Sequence, residues 1–253
     1  MPKPFEQVCH ALCLPWLRLQ KQGVSFPLFP LGMRVVVVSD THNQHQELEV
    51  PEGDLLIHCG DMTNRGSAPE LAEVNRWFEN LPHLHKAPGS NSQPDCRVAI
   101  CGNMDQRLES QTKEKRAKFL PSVMYLEDDA VEIDGLRIYG SPYTPKFCGA
   151  FQLDGEQAAS EKWSAIPEDL DILITHGPPA KVLDCVGRGI HAGCPELLKR
   201  VERAQPRFHF FGHIHEEGGK QCTQGRTTFV NAAQHVMVFD IDPGRAAKMA
   251  KTA

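Results

Sequence analysis

Apolar and polar positions alternate in two distinct ways along this chain. RVVVVSD (34–40) and DLLIHCGD (54–61) are unbroken apolar runs, a pattern suited to strands buried on both faces. RVAIC (97–101), DLDILITHGPP (169–179) and RFHFFGHIH (207–215) have the same character. Helical spacing fills the gaps between them. Leu71, Val74, Trp77, Phe78 and Leu81 form one apolar face, opened by a Ser67/Glu70 capping box. A charged helical stretch is expected over 106–119, another helix over 155–166, and one from about Pro195 carrying Leu197, Leu198 and Val201.

From residue 123 the pattern becomes a meander. VMYLED, AVEIDG and LRIYGSP read as short strands, with Asp134-Gly135 as a hairpin signal. TTFVNAAQHVMVFDID (227–242) supplies the last strands, and HKAPGSNSQPD (85–95) reads as a loop. No repeat and no dividing linker is visible. The expected arrangement is α/β, two sheets packed face to face with helices outside both. One domain is expected over 33–242, with an N-terminal extension over 1–32, broken by Pro15, Pro27 and Pro30, and a tail over 243–253.

The apolar runs share a second property. Asp40 and His42 end the first, Asp61 the second and Asn103 the third, His176 ends a fourth, and His213 with His215 a fifth. Ligands collect beyond the carboxyl ends of strands in α/β sheets. Imidazole mixed with carboxylate suits Zn, Fe or Mn better than Ca or a dedicated Mg cage. Seven such donors are enough for two divalent ions sharing a bridge, and Asp61 is the best bridge. Asn103 adds an oxygen without adding charge. His58 and His209, inside their strands, read as core histidines.

D-x-H, G-D, G-N, a strand-terminal His-Gly and G-H-x-H, in this order, resemble the calcineurin-like metallophosphoesterases over roughly 33–240. SDTHN, GDLLIHCGDMTNRG, RIYGSP, DILITHGPP and FGHIHE are closer still to the subgroup of metallophosphoesterase-domain-containing proteins. The resemblance implies a four-layer α/β/β/α sandwich. It also implies one metal on Asp40, His42 and His215, a second on Asn103, His176 and His213, and Asp61 between them. Asp61, Asn103, Asp105 and His176 are the catalytic residues so expected, with Asn103 and His191 contacting substrate. One position departs: the family commonly reads Gly-Asn-His followed by an acid, and here Met104 stands in place of the histidine, with Asp105 after it. His45 and His191 are candidates for taking over its part.

Composition narrows the reading. The 253 residues carry a net charge of −5, which argues against a general nucleic-acid binder. No run approaches the ~20 apolar residues of a membrane span. Nine cysteines without tight spacing suggest free thiols in a reducing compartment, hence a cytoplasmic protein. The expectation is a two-metal phosphodiesterase acting on cyclic nucleotides or related small phosphoesters, with weakened protonation of the leaving group. The alternative is a metal- and nucleotide-binding scaffold with little turnover.

Overall fold

The computed structural model describes residues 32–82 and 96–243. The extension expected over 1–32 (apart from Gly32), the loop at 85–95 and the tail beyond Pro243 lie outside the described residues. Strands β1 (Met33–Val38), β2 (Leu55–His58), β3 (Arg97–Ala99) and β4 (Met124–Tyr125) run parallel, in that order. After them come β5 (Asp129–Ile133) and β6 (Leu136–Ser141), an antiparallel hairpin. Its turn residues Asp134 and Gly135 both have positive φ, as a two-residue turn that follows the strand twist requires. Next are β7 (Thr144–Pro145), paired parallel to β8 (Gln152–Leu153), then β9 (Ile172–Thr175). The small hairpin of β10 (Cys185–Val186) and β11 (Ile190–His191) precedes β12 (Phe208–Phe211), β13 (Lys220–Gln224), β14 (Thr227–Asn231) and β15 (Met237–Ile241).

Two mixed sheets result. The first has the order β15-β1-β2-β3-β4 and the second β13-β14-β12-β9-β6-β5. In both, the central strands are parallel and an antiparallel strand closes an edge. This accounts for the two sequence patterns. Central strands are covered on both faces and read as continuous apolar runs. The edge strands β5 and β15 alternate in burial, and β13 is mostly exposed.

Alternate residues of each central strand serve different layers. Val35, Val37, Leu55 and Ile57 face the second sheet and pack with Ile138, Ile172, Ile174, Phe210 and Val230. Val36, Val38 and Leu56 face outward, against Leu71, Val74, Trp77 and Phe78 of the helix Ala68–Asn80. On the far side, Leu173 and Phe211 pack with Trp163 of the helix Gly155–Ser164 and with Leu197 and Val201 of the helix Pro195–Ala204. The layers are therefore α/β/β/α, as expected.

The charged stretch over 106–119 differs from expectation. It forms two short helices, Gln106–Glu109 and Lys113–Phe119. Arg116 turns back so that Nε donates to Leu108 O and Nη2 to Glu109 O, both at 2.7 Å. Those side-chain donors satisfy carbonyls that a continuous helix would have bonded itself. Among the described residues no helix is long and apolar enough to cross a membrane, and Cys59, Cys101, Cys148, Cys185, Cys194 and Cys222 are free thiols.

His58 and His209 are fully buried in β2 and β12, as read from the sequence. Thr175 donates to Gly177 O, so the His209 ring donates Nε2–H to Thr175 Oγ1, at 2.8 Å. Burial holds both rings neutral, with pKa values of about 3 against an ordinary 6.5. The folded value is depressed, so the unfolded chain binds more protons. The contribution to stability is intact above about pH 6.5 and is lost as pH falls toward 3. Urea midpoints should therefore fall from pH 7 to pH 5, each histidine adding up to ~1.4 kcal/mol per pH unit to the slope. In His209→Gln the slope should be shallower. An unchanged slope would show that His209 does not titrate with unfolding.

Candidate metal centre

The parallel runs of both sheets end at one place, and the chain turns sharply there. Asp40, His42, Asp61 and His213 all have positive φ, between 43° and 69°. Non-glycine residues in this region cost ~1–3 kcal/mol each and persist where surrounding structure forces them. The strain throws each side chain forward from its strand end, toward the others.

Glycines make the approach possible. A Cβ on Gly212 would lie 2.0 Å from Asp40 Oδ2, and one on Gly102 would lie 2.2 Å from Asp61 Oδ1. One on Gly60 would lie 2.7 Å from His176 Nδ1. The Gly-Asp, Gly-Asn and Gly-His pairs are thus packing requirements. Each glycine gives up its side chain to a donor from another strand.

All seven expected donors meet here. Asp40 Oδ2 accepts from Ser39 Oγ at 2.6 Å and from the His213 N–H at 2.9 Å. Its Oδ1 is left facing His215 Nε2 at 3.2 Å and His42 Nε2 at 3.9 Å. Asp61 lies between two groups. Its Oδ2 is 3.8 Å from His42 Nε2 and its Oδ1 is 3.4 Å from His176 Nε2. Asn103 Oδ1 is 2.9 Å from the same His176 nitrogen. The rings of His42 and His215 stand 5.4 Å apart, and those of His176 and His213 5.0 Å. Ligand atoms of Asp40, His42 and His215 lie within 4.8 Å of one another, as do those of Asp40, Asp61 and His176.

The electrostatics favour positive charge. Burial opposes ionisation of Asp40, yet the His215 ring, the Ser39 hydroxyl and the His213 amide hold its pKa well below the carboxylate range. Burial also opposes a proton on His176, but the Asp61 and Asp40 carboxylates outweigh it and lift the pKa to about 9. His213 goes the other way, pushed down to about 4 by burial and by the charge on His176. His176 donates Nδ1–H to Cys59 O at 2.9 Å, so Nε2 is the nitrogen aimed at the two oxygens. A ring nitrogen fixed by its other nitrogen's hydrogen bond, facing a carboxylate and an amide oxygen, fits a divalent ion. The chemistry of these side chains therefore suits a divalent metal ion.

Three other residues fall differently. Asp105, expected as catalytic, is fully buried, and its carboxylate is taken up by other groups. Oδ1 accepts from Thr63 N and Oγ1 at 3.0 and 2.7 Å, and Oδ2 from Gly102 N and Met62 N at 2.9 and 3.4 Å. It fastens the loop after β2 to the loop after β3. Burial and the nearby Asp61 charge raise its pKa to about 7. His45 is fully buried against Trp77, with ring centroids 5.3 Å apart, so it cannot reach a leaving group. His191 is exposed, with Nδ1 2.6 Å from Asp184 Oδ1. Its loop is tied to the site by Asn231, whose Nδ2 donates to Leu183 O at 3.3 Å and Ile214 O at 2.9 Å.

Sequence reasoning missed the segment between β7 and β8. Gly149 there has positive φ, and its backbone lies against Asn103: a Cβ would be 2.1 Å from Asn103 O. The glycine was visible, but nothing local linked it to a residue 46 positions earlier.

Residues 33–217 match the calcineurin-like phosphoesterase family. The chain is 40% identical to human metallophosphoesterase domain-containing protein 1 over 232 residues, covering 82% of this chain and 68% of that one. It is 28% identical over 202 residues to a probable cyclic nucleotide phosphodiesterase of Synechococcus, covering 74% of this chain and 67% of that one. In fold it is similar to the crystal structure of phosphopantetheinyl hydrolase from Mycobacterium tuberculosis. The TM-score is 0.52 at 11% identity, over 80% of this chain and 89% of that one. The chain belongs to the calcineurin-like phosphoesterase family.

Gly212→Ala should push Asp40 aside and weaken Mn²⁺ binding by ~10–100-fold, the usual range when a ligand's support is disturbed. Gly187→Ala, where a Cβ meets nothing within 4 Å, should bind as wild type does. Calorimetric titration of the three proteins measures both. Equal affinity in all three would mean that the close approach at Gly212 does not hold the site.

Proposed function

We propose that this member of the calcineurin-like phosphoesterase family is a two-metal phosphodiesterase acting on cyclic nucleotides or related small phosphodiesters. The observation that carries the reading is the position of Asp61, one oxygen toward His42 and the other toward His176. Asp40, His42 and His215 would hold one ion, Asn103, His176 and His213 the other, with Asp61 between. Bound there, divalent metals lower the pKa of a water and neutralise charge on the phosphoryl group. The name of the Synechococcus relative supports the choice of diester and nucleotide. His191, paired with Cys185 in the β10–β11 hairpin and exposed, is the proposed substrate contact. Manganese, iron or zinc fits the mixed imidazole and carboxylate set.

The chain's own residues do the rest. Buried Asp40 and Asp61 supply fixed negative charge, and Asn103 adds an oxygen without adding more. His176 is oriented by Cys59 O and carries its lone pair inward when deprotonated. Met104 contributes through its backbone, whose N–H donates to Asp61 Oδ1 at 2.7 Å. Its side chain brings no proton. The thioether is an acceptor, 3.8 Å from Gln106 Nε2.

Leaving-group chemistry follows from Met104. With no acid at this position, the departing oxygen leaves as an anion or takes its proton from water. A phenolic oxygen, with a pKa near ~10, does this readily, whereas alkyl and ribose alkoxides are far more basic. Aryl phosphodiesters should therefore be cleaved much faster than nucleotide esters. Met104→His should narrow the gap by raising the alkyl-ester rate, with ~10²-fold as the ceiling. The ceiling is set low because the Asp105 carboxylate is already engaged by Thr63, Gly102 and Met62. The measurement is kcat/KM for both ester types in Mn²⁺-loaded wild type, Met104→His and Asp61→Ala. Equal effects of Met104→His on the two esters would rule out a missing proton donor. The alternative, a metal- and nucleotide-binding scaffold, rests on Met104. It is favoured if tight Mn²⁺ binding comes with no turnover that Asp61→Ala abolishes.

A further inference from the structure

Cys148 is not one of the seven donors, yet it touches one of them. It lies exposed on the segment between β7 and β8. The Asn103 side chain donates from Nδ2 to Cys148 Sγ at 3.6 Å, a normal separation for sulfur, while its Oδ1 faces His176. An amide has one end that binds cations and one that repels them. The partner on the outer side decides which end turns inward, and here that partner is a sulfur able to accept a hydrogen bond.

The same segment also holds the Asn103 backbone. Ala150 N–H donates to Asn103 O at 2.9 Å, and Gly149 lies flat against that carbonyl. The segment is itself braced by Gln152. Its Oε1 accepts from the Phe147 N–H and its Nε2 donates to Cys148 O, both at 2.6 Å. Phe151 anchors the segment in the core, packed edge-on to Tyr143 at 5.8 Å. The thiol is therefore open to solvent but presented from a rigid backbone.

We infer that Cys148 is a positioning residue for Asn103, keeping the amide oxygen turned toward the metal centre. The inference rests on the two-metal reading above. It gives the β7–β8 segment a part in the site that the order of motifs along the chain does not reveal.

The test has two arms. In ¹⁵N spectra of the metal-free protein, the Asn103 side-chain amide pair, assigned by its loss in Asn103→Asp, should move in Cys148→Ala. It should move part of the way back in Cys148→Ser, whose hydroxyl also accepts. In Mn²⁺ titrations, Cys148→Ala should weaken one of two sites by ~10–100-fold and leave the other as in wild type. The melting temperature of the metal-free protein should stay the same. An amide pair that does not move in Cys148→Ala overturns the inference, whether or not metal binds. A moved pair with superimposable Mn²⁺ isotherms also overturns it, since the contact then has no bearing on the site. A wild-type protein that binds no Mn²⁺ overturns the two-metal reading instead.

Discussion

The carboxyl edges of the two sheets meet where there is room for backbone and ligand atoms but for no additional carbon. Gly60, Gly102 and Gly212 stand within 2.0–2.7 Å, measured from a would-be Cβ, of donors on neighbouring strands. The left-handed turns at Asp40, His42, Asp61 and His213 belong to the same geometry. The chain can reverse so abruptly only because each turn is fixed by its neighbours. The His42 N–H bonds to Asp61 O, the Asp40 N–H to Gly60 O and the Gly212 N–H to His176 O. The sheets, their parallel centres and the helices that cover them bring five strand ends to one point.

Charge makes that point expensive. Two nearly inaccessible carboxylates lie beside one another at the end of an apolar core. Burying such groups costs several kcal/mol apiece unless they are compensated. Part of the compensation is built in. Asp40 has the Ser39 hydroxyl and the His213 amide, and Asp61 has the Met104 amide. The remainder calls for a cation, which is why His176 holds its proton so strongly. Asp105 accepts from four donors and fastens two loops, yet burial and the Asp61 charge still raise its pKa.

Much of this was legible in the sequence because burial leaves a simple mark. Val35 to Val38 are apolar on both faces, which fixed their strand between two layers, and the five polar strand ends stood out against such runs. The cluster could be read because each of its seven residues lies within four positions of a strand end. Other parts had no local mark. The break at Ser110 depends on Arg116 reaching back, and the burial of His45 depends on Trp77, 32 positions away. The resemblance gives Asp105 a catalytic part because an acid follows Gly-Asn-His in the family. Its side chain turns to Thr63, which only the three-dimensional arrangement reveals. The β7–β8 segment escaped notice for a similar reason, since Gly149 and Cys148 meet Asn103 through space.

The contact between Asp40 and the His213 amide spans 173 positions of sequence. Contacts that long pay the entropy of loop closure before they return any stability, and the β1–β15 pairing of Met33 with Ile241 spans more still. The strands of the first sheet can pair among themselves, and β12 can pair with β9, without the two edges meeting. Only docking of one sheet on the other brings Asp40 under Gly212 and Cys59 O to His176. A partly folded chain therefore holds fragments of the donor set but no complete one. A complete set of these side chains therefore requires both sheets to be assembled and docked.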